Sequence, residues 1–92
     1  MFQVKIVDYA CNEKCFIKYQ ISNLSCDLLN YLNNNLDDET ELDGDFLFLT
    51  TYFNKDFYPF KSDDAQLKIN EYIAREEIEM LVYISGFLED KI

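Results

Sequence analysis

Residues 2–9, Phe-Gln-Val-Lys-Ile-Val-Asp-Tyr, begin with apolar and polar side chains in alternation. Phe2, Val4 and Ile6 fall on one side and Gln3 and Lys5 on the other, which is the two-residue period of a half-buried strand. Ala10 to Glu13 breaks the period and reads as a turn. Lys14 to Ile21 resumes it, with Cys15, Ile17, Tyr19 and Ile21 on one face and Phe16, Lys18 and Gln20 on the other. Two such runs around a short break predict an antiparallel hairpin. The period then changes. Ser22 has the chemistry of a helix N-cap, and Leu24, Leu28, Tyr31, Leu32 and Leu36 recur at the spacing of one helical face. Asn33, Asn34 and Asn35 are poor helix formers and weaken its end. Phe46 to Phe53, rich in aromatic and β-branched residues, predicts a third strand. Asn54 to Lys61 holds Pro59 among Phe57, Tyr58 and Phe60 and reads as an ordered aromatic connection. Ser62 is a second N-cap, followed by Asp63 and Asp64 where the helix dipole favours carboxylates. A stripe of Ile69, Ile73, Glu76, Met80 and Ile84 predicts a helix over about 62–85 with Gly86 as its C-cap. Residues 78–84 also fit a strand, which would break that helix near Glu77. The order of elements predicts an α+β domain in which a small antiparallel sheet, a β-hairpin plus a third strand, packs against two or three helices.

Composition adds two constraints. A chain of 92 residues makes a single acidic globular domain, residues 1–92, with one modest core. Eight Phe and seven Tyr supply enough apolar area to fold without a metal or disulfide framework. Eighteen acidic residues against eight basic ones give a formal net charge of −10. So acidic a chain is a poor ligand for nucleic acid or an anionic membrane, both of which need clustered Lys and Arg. Its natural complement is a basic protein, reached through long-range attraction that salt weakens. Cys11, Cys15 and Cys26 are an odd number, no signal peptide opens the sequence, and no apolar run is long enough to span a membrane. These features predict a reduced, cytoplasmic protein.

The acidity is concentrated. Asp37 to Asp45, Asp-Asp-Glu-Thr-Glu-Leu-Asp-Gly-Asp, places six carboxylates in nine residues with no base among them. Asp63, Asp64, Glu71, Glu76, Glu77 and Glu79 continue the charge into the last helix. Carboxylates two apart on a strand lie roughly 7 Å apart, and those four apart on a helix roughly 6 Å apart. Both spacings approach every second phosphate of a DNA strand, which repeats about every 3.4 Å. An ordered display of such rows offers a negative surface to a protein built to hold phosphates, and order avoids the entropy a mobile tail would lose on binding. The candidate partner-binding residues are therefore Asp37, Asp38, Glu39, Glu41, Asp43, Asp45, Asp63, Asp64, Glu71, Glu76, Glu77 and Glu79. The plainer alternative is a solubilising acidic loop.

Other chemistries fit less well. The chain has no His, and neither Gly44 nor Gly86 sits in a phosphate-binding loop, so catalysis is not expected. Glu39-x-Glu41-x-Asp43-Gly44 resembles the opening half of a calcium loop, but its first position is Glu and its twelfth, Thr50, is not a carboxylate. Three cysteines without His make a poor zinc set, and small, partly buried thiols are the simpler reading. No metal or cofactor is expected.

The opening Met-Phe-Gln-Val-Lys-Ile-Val-Asp-Tyr, the Asp37–Asp45 run and the closing Phe-Leu-Glu-Asp-Lys-Ile, at this length, resemble the Arn anti-restriction nuclease family of T-even bacteriophages. That resemblance spans the whole chain but rests on no short diagnostic motif. It implies a small acidic dimer that imitates duplex DNA in the host bacterial cytoplasm and blocks the restriction endonuclease McrBC, which cuts DNA carrying modified cytosine. It carries no catalytic residue. The alternatives are an acidic adaptor for a basic host protein, such as a nucleoid-associated protein, and a calcium-binding module on Glu39–Asp45. A two-fold dimer would roughly double the length of a charged row. The aromatics Phe57, Tyr58 and Phe60 are the expected contact.

Overall fold

The computed structural model describes residues 2–91, the side chains of 90 and 91 apart. Strands β1 (Gln3–Cys11), β2 (Cys15–Ser22), β3 (Glu39–Asp43) and β4 (Phe46–Phe53) form one antiparallel sheet in the order β1-β2-β4-β3. Helix α1 (Cys26–Asn35) lies between β2 and β3 in sequence, and α2 (Asp63–Leu67) and α3 (Ile69–Lys91) follow β4. The fold is α+β, as the alternation of periods predicts.

One sheet face carries the core. Cys15, Ile17, Tyr19 and Ile21 of β2 and Leu47 and Leu49 of β4 are buried against Leu29, Leu32 and Leu36 of the α1 region and Ile84 and Leu88 of α3. Burying a side chain of this kind contributes about 1.5–3 kcal/mol. The opposite face is free of helices. It carries Phe16, Lys18 and Gln20 beside Phe48, Thr50 and Tyr52, which are their register partners.

Several boundaries differ from the sequence reading. Ser22 is the last residue of β2, not a cap. Asn23 then adopts φ 63°, a left-handed turn that Asn tolerates, and the cap falls to Ser25, whose Oγ accepts the Leu28 N–H at 3.4 Å. Ser62 does cap α2, accepting the Ala65 N–H at 3.0 Å. The last helix breaks at Lys68, at φ −117° and ψ 37°, rather than near Glu77, and residues 78–84 are helical. Gly86 is interior to α3 rather than its C-cap, because the helix runs on to Lys91.

The largest departure is in the acidic run. Five of its residues form β3 and pair with β4 through a two-residue turn, Gly44-Asp45, in which Gly44 takes φ 61°. Glycine at the first turn position is what a tight hairpin of the right twist requires. The sheet therefore has four strands, and β3 is an edge.

The cysteines depart too. Cys11 and Cys15 are register partners at the closed end of the β1–β2 hairpin and are joined as a disulfide, so only Cys26, exposed at the start of α1, is a free thiol. The turn brings these two residues face to face, which the sequence reading of three separate thiols did not anticipate.

Candidate functional site

The predicted acids do not form one surface. They fall into three groups, each fixed by a different element.

The first group lies on β3. Alternation turns Thr40 and Leu42 inward and leaves Glu39, Glu41 and Asp43 exposed. Thr40 Oγ1 donates to Asn33 Oδ1 at 2.8 Å, which ties the strand to α1, and Leu42 packs on the core. The three carboxylates therefore stand in a row on the helix-free side, about 7 Å from one to the next. Tyr52 donates its hydroxyl to Glu39 Oε2 at 2.8 Å and pins one end. That carboxylate in turn raises the Tyr52 hydroxyl above its usual range. Asp45 extends the group into the exposed hairpin turn. A row along a strand does not converge on a point, which suits poorly the half calcium loop read from Glu39 to Gly44, because calcium takes its ligands at about 2.3–2.6 Å.

The second group surrounds two tyrosines on the helix side. The Tyr19 hydroxyl is raised far above its ordinary value, first by burial and then by Glu76, Glu79, Asp38 and Glu77. Asp38 and Asp37 likewise raise Tyr83 after burial. Acids of the loop after α1 and of the middle of α3 thus act on the same tyrosine, Tyr19. Burial, with Asp37 beside it, raises Asp38. Burial, then repulsion from Glu79 and a hydrogen bond with it, raises Glu76.

The sign of the pH effect follows. A carboxyl raised above its unfolded value contributes stability that is complete below the ordinary carboxylate range and is lost as pH rises through the folded value. Asp38 and Glu76 therefore favour the fold in mildly acidic solution, in the same direction as relief of the −10 charge. Thermal unfolding followed by circular dichroism should give a higher Tm near about pH 5 than near about pH 7.5. Asp38→Asn and Glu76→Gln should each flatten that rise. An unchanged slope in both variants would remove the assignment.

Glu77 does not display its charge. It is half-buried, and its Oε2 accepts the Ile6 N–H at 2.7 Å, beside the register shift between Ile6 and Asp8. Strand β1 is the other edge of the sheet, and an edge N–H left open invites pairing with another chain. Glu77 covers it. Glu77→Ala should cost about 1.5–3 kcal/mol in urea unfolding, the range for a hydrogen bond to a charged group. Glu77→Gln, which keeps an acceptor, should recover most of that loss. Equal losses in both variants would show that the carboxylate charge, not the bond, matters.

The third group, Asp63, Asp64 and Glu71, serves local structure. Asp63 and Asp64 occupy the first turn of α2 and Glu71 that of α3, where the dipole stabilises them. Asp64 also accepts the Tyr72 hydroxyl at 2.6 Å and lies 3.9 Å from Lys68 Nζ. Of the predicted residues, Glu39, Glu41, Asp43 and Asp45 form the ordered outward row. Asp37, Asp38, Glu76 and Glu79 form the cluster around Tyr19 and Tyr83.

Two features escaped the sequence reading. Tyr58 and Phe60, expected at a dimer contact, are buried, and only Phe57 stands out, at 75 % exposure. Phe60 packs edge-on against Tyr9 and Tyr58, which absorbs the connection into the core. The helix-free face also has a cationic half. Lys18 Nζ lies 5.1 Å from the Phe48 ring centroid, and Lys14 Nζ lies 5.9 Å from that of Tyr52. Periodicity had separated Lys18 from the core residues, but the pairing of β2 with β4 was needed to set it beside the aromatic rings and the acids of β3.

Among the described residues no helix is long and apolar enough to cross a membrane. No curated protein matches the sequence. A family model does match it, over residues 3–90, which takes in every strand and all three helices almost to the end of α3. On that match the chain belongs to DUF5750, a family of unknown function.

Proposed function

We propose that this domain is a non-enzymatic binder that sets the carboxylate row of β3 against the DNA-binding surface of a basic protein. One observation carries this reading: Glu39, Glu41 and Asp43 stand exposed, in line, on a strand tied down from both sides. Their spacing of about 7 Å approximates two phosphate steps of a DNA strand. A row held in place loses little entropy on binding. The resemblance to the Arn family supplies the target class, a McrBC-type restriction endonuclease acting on modified cytosine, and places the action in a host bacterial cytoplasm. Two copies about a two-fold axis would present two rows.

The test is inhibition of that nuclease with and without excess unmodified duplex DNA. Inhibition relieved by the DNA supports a mimic seated in the DNA site. Absence of inhibition at low salt removes the target.

A second reading draws on the lysines of the helix-free face. A DNA mimic gains from a face of one sign, whereas Lys14 and Lys18 lie on aromatic rings within the same sheet. That mixture favours an adaptor that grips a local patch of a basic partner, such as a nucleoid-associated protein. Duplex DNA displaces a mimic from such a partner and leaves an adaptor in place.

A further inference from the structure

We propose that the outward face of α3 is the contact through which two copies of this chain pair, antiparallel and two-fold symmetric about Val82. The inference stands on α3 alone and goes beyond the reading of the β3 row.

The inward face of α3 is spent on the core through Ile84 and Leu88, with Ile69, Tyr72, Ile73 and Met80 packed against it. Its other face is also apolar in the middle. Ile78 is 61 % exposed and Val82 65 %, one helical turn apart on the same face. Arg75, Ile78, Val82, Ser85 and Glu89 follow one another at intervals of three and four residues. That spacing keeps them on one stripe, the seam of a helix pair. Beside it a groove lined by Val4, Ala74, Ile78 and Leu81, with Glu77 at its edge bonded to the Ile6 N–H, extends the apolar strip toward β1.

The ends of the stripe identify the occupant. Arg75, whose guanidinium rests 4.6 Å from the Tyr72 ring centroid, and Glu89, both exposed, lie seven residues either side of Val82, about 10 Å each way along the axis. An antiparallel second copy centred on Val82 sets each Arg75 against Glu89 of the other copy, twice by symmetry. It sets Ile78 over Gly86, where the space about a Cβ is empty to 4 Å and a side chain from outside can seat. Glu79 then faces Ser85, and Glu71 falls beyond the end of the facing helix. A parallel pair would instead stack Arg75 on Arg75 and Glu89 on Glu89. Helix α3 is thus complementary to itself in one orientation. A seam this narrow gives a weak dimer, with a Kd on the order of micromolar to tens of micromolar.

The experiment is sedimentation equilibrium of the full chain from about 1 to about 200 µM, which brackets that range. The expected mass climbs with concentration from 11.0 kDa toward twice that value. Val82→Glu should hold the protein monomeric throughout with an unchanged circular dichroism spectrum, since position 82 makes no core contact. Arg75→Glu and Glu89→Arg should each weaken the dimer by severalfold to about tenfold. The double variant, and an equimolar mixture of the two single variants, should regain association. A monomer at the highest concentration overturns the proposal, as does a dimer that ignores both Val82→Glu and the charge reversals. Monomers that instead bind phosphatidylcholine vesicles through Ile78 and Val82 would overturn it in favour of a lipid surface.

Discussion

Reversing Glu39, Glu41 and Asp43 together to Lys should abolish target binding, lowering affinity by at least about a hundredfold at low salt. Three attractive contacts become repulsive, and charge reversal across a tight interface costs several kcal/mol. The salt dependence of whatever binding is left should also fall, since fewer counterions are released. Net charge alone predicts the same loss for any three reversals. The control is therefore Glu13, Asp56 and Glu71, three exposed acids outside the row, reversed in the same protein. Both variants carry the same total charge. Binding kept in the control and lost in the β3 variant assigns recognition to the row. Equal losses would assign it to overall charge, and the mimic reading would fall. Tyr52→Phe refines the point. It frees the Glu39 carboxylate without changing charge and should weaken binding only severalfold, the cost of re-ordering one side chain.

The second large effect concerns stability. Phe60→Ala should destabilise the domain by about 3–5 kcal/mol, the usual cost of emptying a buried aromatic site. Phe60 is fully buried, with ring centroids 5.0 Å from Tyr9 and 5.6 Å from Tyr58. A domain of this size is held by about 5–15 kcal/mol in total, so the variant approaches unfolding at room temperature. Its Tm should fall by at least about 15 °C. Phe57→Ala, three residues away in sequence and mostly exposed, should change stability by no more than about 0.5 kcal/mol. Urea unfolding of the two variants side by side separates them. A small loss at Phe60 would mean that the connection between β4 and α2 is not anchored in the core.

These contrasts bear on what was legible in the residues. Alternation at Val4, Ile6, Ile17, Tyr19 and Ile21 is enough to define the hairpin and its buried face, because a strand has only two sides. The run Phe46–Phe53 matched β4 residue for residue, since aromatic and β-branched side chains leave few alternatives. Helical spacing found α1 and α3 but not the break at Lys68, where no Pro or Gly marks the kink. Strand β3 was hidden by its charge. Glu and Asp are poor strand formers by composition, yet Thr40 and Leu42 alternate with them, and Gly44-Asp45 is a hairpin signal. The clue was present and the acidity outweighed it.

The sequence by itself determined the α+β class, the hairpin, the aromatic core and a net charge of −10. These are properties of composition and local period, which act within a few residues. Only the tertiary structure decided which acids stand together. Glu77 is taken by the Ile6 N–H across 71 residues of chain, Asp38 and Glu76 both act on the Tyr19 hydroxyl, and Glu39 is held by Tyr52. Only the fold could decide, too, that Tyr58 and Phe60 turn inward while Ile78 and Val82 remain outside. The reason is physical: charge and hydrophobicity belong to residues, but the neighbours that desolvate, pair or cover them come from distant parts of the chain and exist only once the sheet has closed on α1 and α3.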